Sequence, residues 1–301
     1  MLVLATVEPL AFRPGTWLVA LGTSWHSEYL LKIRETKEAC GIRYLPFVHD
    51  LIPVKHPEFC VADLTRDYIA WLLSVFDYAD GFLTNSESTK RDLLDAAKQL
   101  GKTIAPERVI VIRLDAAFSA PALGDTAKTF LRSKGLESVP YVLFVSTVEP
   151  RKNHLAAFEA WQQLLLQHRQ ARIPKLVCAG RPGWMCDPIF ARLEASQILK
   201  QHVVLLSDFS DEELACLYRS CAFTIYPSHY EGWGLPVTES LCYGKVPVIA
   251  DNSSLTEAGG PFAVVYPTGS QVAFTKAIER LIFDQEFRHN RETNIAALTE
   301  K

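Results

Sequence analysis

Two carboxylates surround a glycine turn in the last third of the chain. Glu231 and Glu239 are separated by seven residues, and the turn Gly232–Gly234 directly follows the first acid. The apolar run 223–226 predicts a buried strand before the turn, and the spacing over 235–243 predicts a helix after it. Backbone amides that open such a helix attract phosphate oxygens, and carboxylates accept hydrogen bonds from diols. Glu239 is expected about two helical turns beyond Glu231 on a similar face. The pattern therefore suits a polyhydroxylated, phosphorylated ligand that contacts both acids.

A second cluster places two adjacent cations, Arg151 and Lys152, after the predicted strand 141–145 and before a helix that Asn153 can cap. Arginine binds phosphate oxygens in a bidentate manner, and lysine adds a compact charge. An isolated Arg-Lys pair would more often be a solvated basic loop. Because strand ends of a parallel sheet share one edge, we expect both cations near Glu231, where they favour a diphosphate.

The glycine turn has two competing interpretations. Gly232 and Gly234 begin a G-x-G-x-x-G dinucleotide fingerprint, but the third position is Val237 and the turn comes late in its domain. An oxidoreductase is therefore disfavoured. Either glutamate alone could be a solvated helix residue or a favourable charge at a helix N-terminus. The joint spacing of the two acids favours a binding site.

Composition excludes several classes of protein. The 301 residues are 49% hydrophobic and carry a net charge of −3. The protein therefore has no overall positive charge that would attract nucleic acid. The seven cysteines form no C-x-x-C pair and are interpreted as reduced structural residues. No apolar run reaches the roughly 20 residues of a membrane span, and the first residues lack the basic start of a secretory signal. A cytoplasmic location is the default expectation.

Apolar runs alternate with amphipathic segments along the whole chain, which predicts two Rossmann-like α/β domains with parallel sheets facing a cleft. The expected domains are residues 1–120, a linker at 121–140 and residues 141–301. Strands are predicted at 17–21, 43–48, 81–84, 109–112, 141–145, 175–179, 203–206, 223–226, 246–250 and 263–266. Helices are predicted near 28–39, 64–78 and 88–100, and Ser210 with Glu213 forms an S-x-x-E capping box. Open α/β folds place ligands at the carboxyl ends of their strands.

The segment 231–239, E-G-W-G-L-P-V-T-E, resembles the signature of retaining GT-B-fold glycosyltransferases of the large group-one family. That family includes many bacterial mannosyl- and glucosyltransferases. The likeness extends to 149–153, 203–214 and 226–228 and covers most of residues 141–285.

The resemblance implies a role for each matching position. Glu239 would hold the ribose hydroxyls of the donor, and Glu231 would contact the transferred sugar. Arg151 and Lys152 would neutralise the diphosphate as it leaves. The other implied donor-binding residues are the turn residues Gly232, Trp233, Gly234 and Leu235, and the loop that flanks the base, Ser207, Asp208 and Phe209.

The first half resembles the same family at 47–53 and 79–88, where the motifs are less specific. The analogy places His49 near the sugar and the reacting carbon, although a histidine at a strand end more often bonds loop carbonyls. Asp50 is a donor-site candidate below His49, because it could instead cap the following turn. Family members usually begin with a strand and a glycine-rich loop, and no such loop precedes Trp17. The first domain is therefore expected to be shortened.

The residues and the family resemblance together predict a metal-independent hexosyltransferase, and the resemblance implies that it retains the anomeric configuration and acts in cell-surface polysaccharide synthesis. The donor would be a GDP- or UDP-linked sugar, with mannose as the best guess, and the acceptor a hydroxyl of a glycan or lipid-linked saccharide. No cofactor, metal or nucleic acid is expected. Glu231 could be a nucleophile or only a positioning group. The alternatives are a nucleotide-sugar-binding module or incomplete synthase domain without turnover, and a nucleotide-sugar epimerase.

Peripheral contact with the inner face of a membrane is a further expectation. It would involve a basic face, although solvated helix charges explain the same residues. That face comprises Lys90, Arg91, Lys98, Lys102 and Arg108.

Overall fold

A computed structural model describes residues 11–22, 27–114 and 125–299 of the chain. The chain divides into two compact units, Met1–Ile112 and Arg113–Lys301. Each unit contains one parallel β-sheet with helices packed on it. Residues 121–124 of the predicted linker, and 1–10 of the N-terminal segment, lie outside the described residues.

The first unit has a four-stranded sheet in the order β1-β2-β3-β4, and every neighbouring pair is parallel. Its strands are β1 (Trp17–Ala20), β2 (Arg43–Val48), β3 (Phe82–Thr84) and β4 (Val109–Val111). Its helices are α1 (Ser27–Cys40), α2 (Ile52–Lys55), α3 (Ala62–Tyr78) and α4 (Glu87–Gln99). Helix α3 buries Tyr68, Trp71, Leu72 and Val75 at spacings of three, one and three, which places them on one face of the helix.

The second unit has a six-stranded parallel sheet in the order β10-β9-β8-β5-β6-β7. Its strands are β5 (Tyr141–Val145), β6 (Lys175–Ala179), β7 (Val203–Leu206), β8 (Thr224–Tyr226), β9 (Pro247–Ala250) and β10 (Val264–Tyr266). All residues of the central strand β5 are buried, as expected for a sheet covered on both faces.

Nine helices, counted over the described residues, surround this second sheet. They are α5 (Asp125–Ser133), α6 (His154–Gln167), α7 (Asp187–Glu194), α8 (Gln197–His202), α9 (Asp211–Ser220), α10 (Leu235–Cys242), α11 (Leu255–Gly259), α12 (Gln271–Phe283) and α13 (Gln285–Thr299). Phe158 and Trp161 of α6 belong to the core cluster on one side, and Leu217 of α9 belongs to a cluster with Tyr141. Phe130 and Leu131 of α5 join that second cluster, so α5 packs within the second unit.

All ten predicted strands are present, with ends within one residue of the prediction. Asn153 caps α6, Ser270 caps α12, and Ser210 and Glu213 form the predicted capping box at α9. Helix α13 was not predicted. The expected helical relation between Glu231 and Glu239 is wrong, because α10 begins only at Leu235 and Glu231 lies in the preceding loop.

Candidate functional site

The predicted site lies where the strand order of the second sheet reverses. Strands β5 and β8 are neighbours, and from this pair the sheet grows outward in both directions. Ligands of open α/β sheets bind at such a switch point, beside the carboxyl ends of the strands. The loop after β5 carries the predicted cations, and the loop after β8 carries Glu231 and the glycine turn.

Two hydrogen bonds join these loops. The side-chain amide of Asn153 donates to the carbonyl of Pro227 (3.1 Å), and the backbone N–H of His229 donates to the carbonyl of Arg151 (2.8 Å). Asn153 has φ 62°, a left-handed conformation that asparagine tolerates better than most residues. One asparagine therefore ends the Pro150–Lys152 3₁₀ turn, caps α6 and holds the second loop in place.

A buried ion cluster forms the centre of the site. Arg151 Nη1 donates to Glu231 Oε2 (2.7 Å), and Lys152 Nζ donates to Glu231 Oε1 (2.5 Å). Arg151 also donates to Glu149 Oε1 (2.6 Å) and to the Tyr230 carbonyl (2.7 Å). The side chains of Arg151, Lys152 and Glu231 are 13%, 14% and 11% exposed. The structure thus brings together the three residues that the sequence assigned to diphosphate and sugar.

The charge of Glu231 is fixed by its neighbours. Burial alone would raise the pKa of this carboxyl, but the charges of Lys152 and Arg151 outweigh burial and lower its pKa to about 2. Glu231 is therefore an anion at neutral pH. An ionised carboxylate can accept hydrogen bonds from sugar hydroxyls but cannot act as a general acid.

The glycine turn is held by the loop that follows β9. The N–H of Glu231 donates to Ser253 Oγ (2.9 Å), and Ser254 Oγ lies 2.9 Å from the carbonyls of both Glu231 and Trp233. Gly234 has φ 109°, and a side chain there would meet Leu255 Cδ2 at 3.2 Å. Ser253 and Ser254 were missed by sequence reasoning; the only signal is that a Ser-Ser pair follows a strand.

Glu239 lies on α10 and is oriented by α9. Tyr218 Oη donates to Glu239 Oε2 (2.7 Å), and the Tyr218 ring stacks on Tyr243 with centroids 5.2 Å apart. Burial raises the pKa of Glu239, and the hydrogen bond from Tyr218 opposes that rise. Trp233 is buried in the main core cluster, whereas Leu235 is 42% exposed at the first position of α10.

The predicted base-flanking loop connects β7 to α9. Ser207, Asp208 and Phe209 lie between Leu206 and the capping box, and Asp208 and Phe209 line a cavity of about 430 Å³. The opposite wall comes from α5 and the residue after it, with Thr129, Phe130, Ser133 and Lys134. This volume is within the range of small-molecule sites.

The first-unit candidates have structural partners of their own. A ring nitrogen of His49, Nε2, is 2.9 Å from the Leu21 carbonyl, and Asp50 Oδ1 accepts the N–H of Ile52 (2.9 Å) at the start of α2. These are the local roles that the sequence left open beside the donor-site roles. In the predicted basic face, Lys102 pairs with Asp77, and Arg108 donates to the carbonyls of two neighbouring residues, Ala79 and Asp80.

Within residues 11–22, 27–114 and 125–299, no helix is long and apolar enough to cross a membrane, and no group of three His, Cys, Asp or Glu side chains is placed to hold a metal ion. The seven cysteines are free thiols.

The fold and site define a protein of two Rossmann-like α/β units of the GT-B type, with an ion cluster at the switch point of the second. The sequence profile of the glycosyl transferases group 1 matches residues 127–297, and the chain belongs to that family. This match confirms the predicted membership of the group-one glycosyltransferases, and the two parallel sheets confirm the predicted α/β fold class.

Two curated relatives are mannosyltransferases of Escherichia coli. The chain is 28% identical to the serotype-specific mannosyltransferase WbdA over 305 residues, which are 98% of this chain and 37% of WbdA. It is 28% identical to the O-antigen chain mannosyltransferase B over 242 residues, which are 80% of this chain and 61% of that protein. The chain thus spans about a third of the length of WbdA.

Solved structures show the same fold at low identity. HepE of Anabaena in complex with UDP matches with a TM-score of 0.73 and 15% identity, over 94% of this chain and 73% of that one. Sucrose-phosphate synthase of Thermosynechococcus elongatus matches with a TM-score of 0.69 and 17% identity, over 95% and 69% of the two chains.

Proposed function

We propose that this protein transfers a hexose from a nucleotide-diphosphate sugar to a hydroxyl of a glycan or lipid-linked saccharide during cell-surface polysaccharide synthesis. The observation that carries the proposal is the buried cluster of Arg151, Lys152 and Glu231 at the switch point of a group-one glycosyltransferase unit. The relatives named as mannosyltransferases support mannose as the sugar.

In the proposed mechanism, Arg151 and Lys152 stabilise the diphosphate as negative charge develops on it. Cations that are already positioned in a buried site need little reorganisation during the reaction, and they act strongly because water is excluded. Lys152 and Arg151 thereby supply the charge that a divalent metal provides in other transferases, so we propose a metal-independent reaction.

The two glutamates would divide the donor between them. Glu231 is ionised and faces both cations, so it would accept hydrogen bonds from the sugar beside the diphosphate. Glu239, fixed by Tyr218, would accept the ribose hydroxyls, and the cavity beside Asp208 and Phe209 would receive the base. Retention of the anomeric configuration belongs to the proposal, and an ionised Glu231 is compatible with either a nucleophilic or a positioning role.

Donor binding is tested first, with a thermal-shift panel of GDP- and UDP-linked mannose and glucose. A ligand that binds only the folded state raises the stability of the protein by about 2.7 kcal/mol when the ligand concentration is a hundred times the dissociation constant. We expect one donor to stabilise the protein strongly. Lys152→Met should abolish most of that shift, whereas Lys276→Met, which removes an exposed lysine on α12, should leave it unchanged.

Transfer is tested separately with labelled donor and saccharide acceptors. Product that depends on both donor and acceptor supports the transferase. Binding without product over a broad acceptor panel favours a nucleotide-sugar-binding module, and donor isomerisation without acceptor favours an epimerase. No shift with any donor contradicts the proposal.

A further inference from the structure

A second cavity in the same unit is assigned no role by the proposed mechanism. It has a volume of about 420 Å³ and lies between the N-terminal ends of α6 and α12, next to the carboxyl ends of β8 and β10. This size falls within the roughly 300–1,000 Å³ of small-molecule sites. It shares no lining residue with the cavity beside Asp208 and Phe209.

The walls of this cavity are formed by structured elements. Gln271 Nε2 on α12 donates to the Ala156 carbonyl on α6 (3.0 Å), so the two helices are joined where they line the space. Arg192 on α7 donates to Gln162 of α6 (2.7 Å). Hydrogen bonds between neighbouring helices hold the opening in place without a ligand.

The lining combines polar side chains with apolar surface. Glu159 and Arg192 contribute opposite charges, 3.7 Å apart at their nearest atoms, and each is partly exposed. Leu155, which is 44% exposed, contributes apolar surface, whereas Phe274 lines the cavity with only 1% of its surface exposed. An anion would meet Glu159 beside Arg192, so a phosphate is disfavoured. A lipid tail would leave both charges desolvated. A pyranose matches both features, because its hydroxyls bond to carboxylate, guanidinium and amide groups while its C–H face packs on apolar carbon.

The cavity also touches the two loops that carry the ion cluster. Asn153 and His229 line it, and they are the residues whose hydrogen bonds join the loop of Arg151 to the loop of Glu231. A molecule in the cavity therefore contacts the two segments that position the cations and the acid.

We propose that this cavity is a binding subsite for a neutral oligosaccharide, separate from the nucleotide-sugar site. The choice of a glycan as occupant rests on the proposed transferase function, since a polysaccharide-synthesising enzyme must hold acceptor or product. The cavity supplies a place for saccharide units beyond the one that reacts.

The test measures binding of α-linked manno-oligosaccharides to the full chain by saturation-transfer NMR and calorimetry. Leu155→Trp fills the cavity and should weaken binding by about tenfold or more, which corresponds to about 1.4 kcal/mol. The matched control is Leu166→Trp on the last turn of the same helix, where the leucine is 48% exposed and does not line the cavity. The control should bind as the unchanged protein does. Glu159→Gln, a smaller change, should weaken binding severalfold because it removes a charged acceptor.

Nucleotide-sugar binding is measured on the same variants, which separates this inference from the proposed function. Oligosaccharide binding that is equal in Leu155→Trp and Leu166→Trp, or absent from a protein that binds and transfers its donor, overturns the subsite. Oligosaccharide binding that Leu155→Trp abolishes supports the subsite even if no nucleotide-sugar binds, an outcome that contradicts only the proposed function.

Discussion

Replacing Glu231 by glutamine tests the energetics of the ion cluster. The pKa of this carboxyl falls from an ordinary 4.5 to about 2 in the folded protein. Each unit of pKa difference corresponds to 1.36 kcal/mol, so the ionised carboxylate stabilises the fold by about 3 kcal/mol at neutral pH. In other proteins, loss of one partner from a buried ion pair lowers the free energy of unfolding by about 3–5 kcal/mol, a range that includes this value. We expect Glu231→Gln to lower the free energy of opening of the second unit by about 3 kcal/mol at pH 7.

The measurement is native-state hydrogen exchange at the amides of β5 and β8, which reports on this unit alone. The control is Glu286→Gln, an exposed carboxylate on α13, which should change stability by less than about 0.5 kcal/mol.

The pH dependence of the Glu231 effect has a definite sign. Because the folded pKa is depressed, the stabilisation is complete above pH 4.5 and disappears as the pH falls through 2. The difference between the unchanged protein and Glu231→Gln should therefore shrink to roughly half near pH 3. A difference below 0.5 kcal/mol at pH 7, or one that stays constant down to pH 3, would refute the electrostatic reasoning.

Two further changes test the support of the site. Tyr218→Phe removes the hydrogen bond that opposes the raised pKa of Glu239. Calorimetry should therefore show nucleotide affinity about tenfold weaker, and the affinity should begin to fall at a higher pH as the solution is acidified. If the pH at which half of the affinity is lost does not change, the assignment is contradicted. Gly234→Ala places a methyl group 3.2 Å from Leu255 at φ 109°, and it should lower the free energy of unfolding, measured in urea, by about 1–3 kcal/mol. The control is Gly244→Ala, at φ 69° with open space around it, which should lower the free energy of unfolding by about 1 kcal/mol. Equal costs would show that the turn is not confined by its neighbours.

The strands of both sheets could be predicted because each is a short apolar run bounded by turn signals. Strand β5 is buried along its whole length, so its sequence contains no polar interruption. Helix α13 was not predicted, because its sequence lacks a clear apolar pattern. It is rich in charged and amide residues, and Ile295 is its one fully buried apolar residue among those described, which leaves too sparse a pattern for helical periodicity to be recognised.

The ion cluster could be predicted from its residue types and from their positions after the carboxyl ends of neighbouring strands. Arg151 and Lys152 follow β5, Glu231 follows β8, and the neighbouring positions of these strands bring them together. The roles of Tyr218 and Ser254 come from other elements that approach only in the folded chain, so no local spacing indicates them. The helical relation between the two glutamates failed because Gly234, at φ 109°, delays the start of α10.

The ion cluster also indicates how the two cations differ. Arg151 is bonded to Glu231, Glu149 and the Tyr230 carbonyl, so removal of one partner leaves it held by the others. Among the described residues, the ammonium of Lys152 has one ion-pair partner, Glu231. A lysine ammonium is compact and sits on a flexible stem, whereas the planar guanidinium is fixed by its several bonds. If a diphosphate enters beside Glu231, Lys152 would exchange the carboxylate for phosphate oxygens, so that one buried ion pair replaces another, while Arg151 would keep the two loops and the acid in register. In the proposed mechanism, the pairing with Glu231 would keep the lysine positioned for the donor in a buried site, and the arginine would hold the surrounding loops fixed during that exchange.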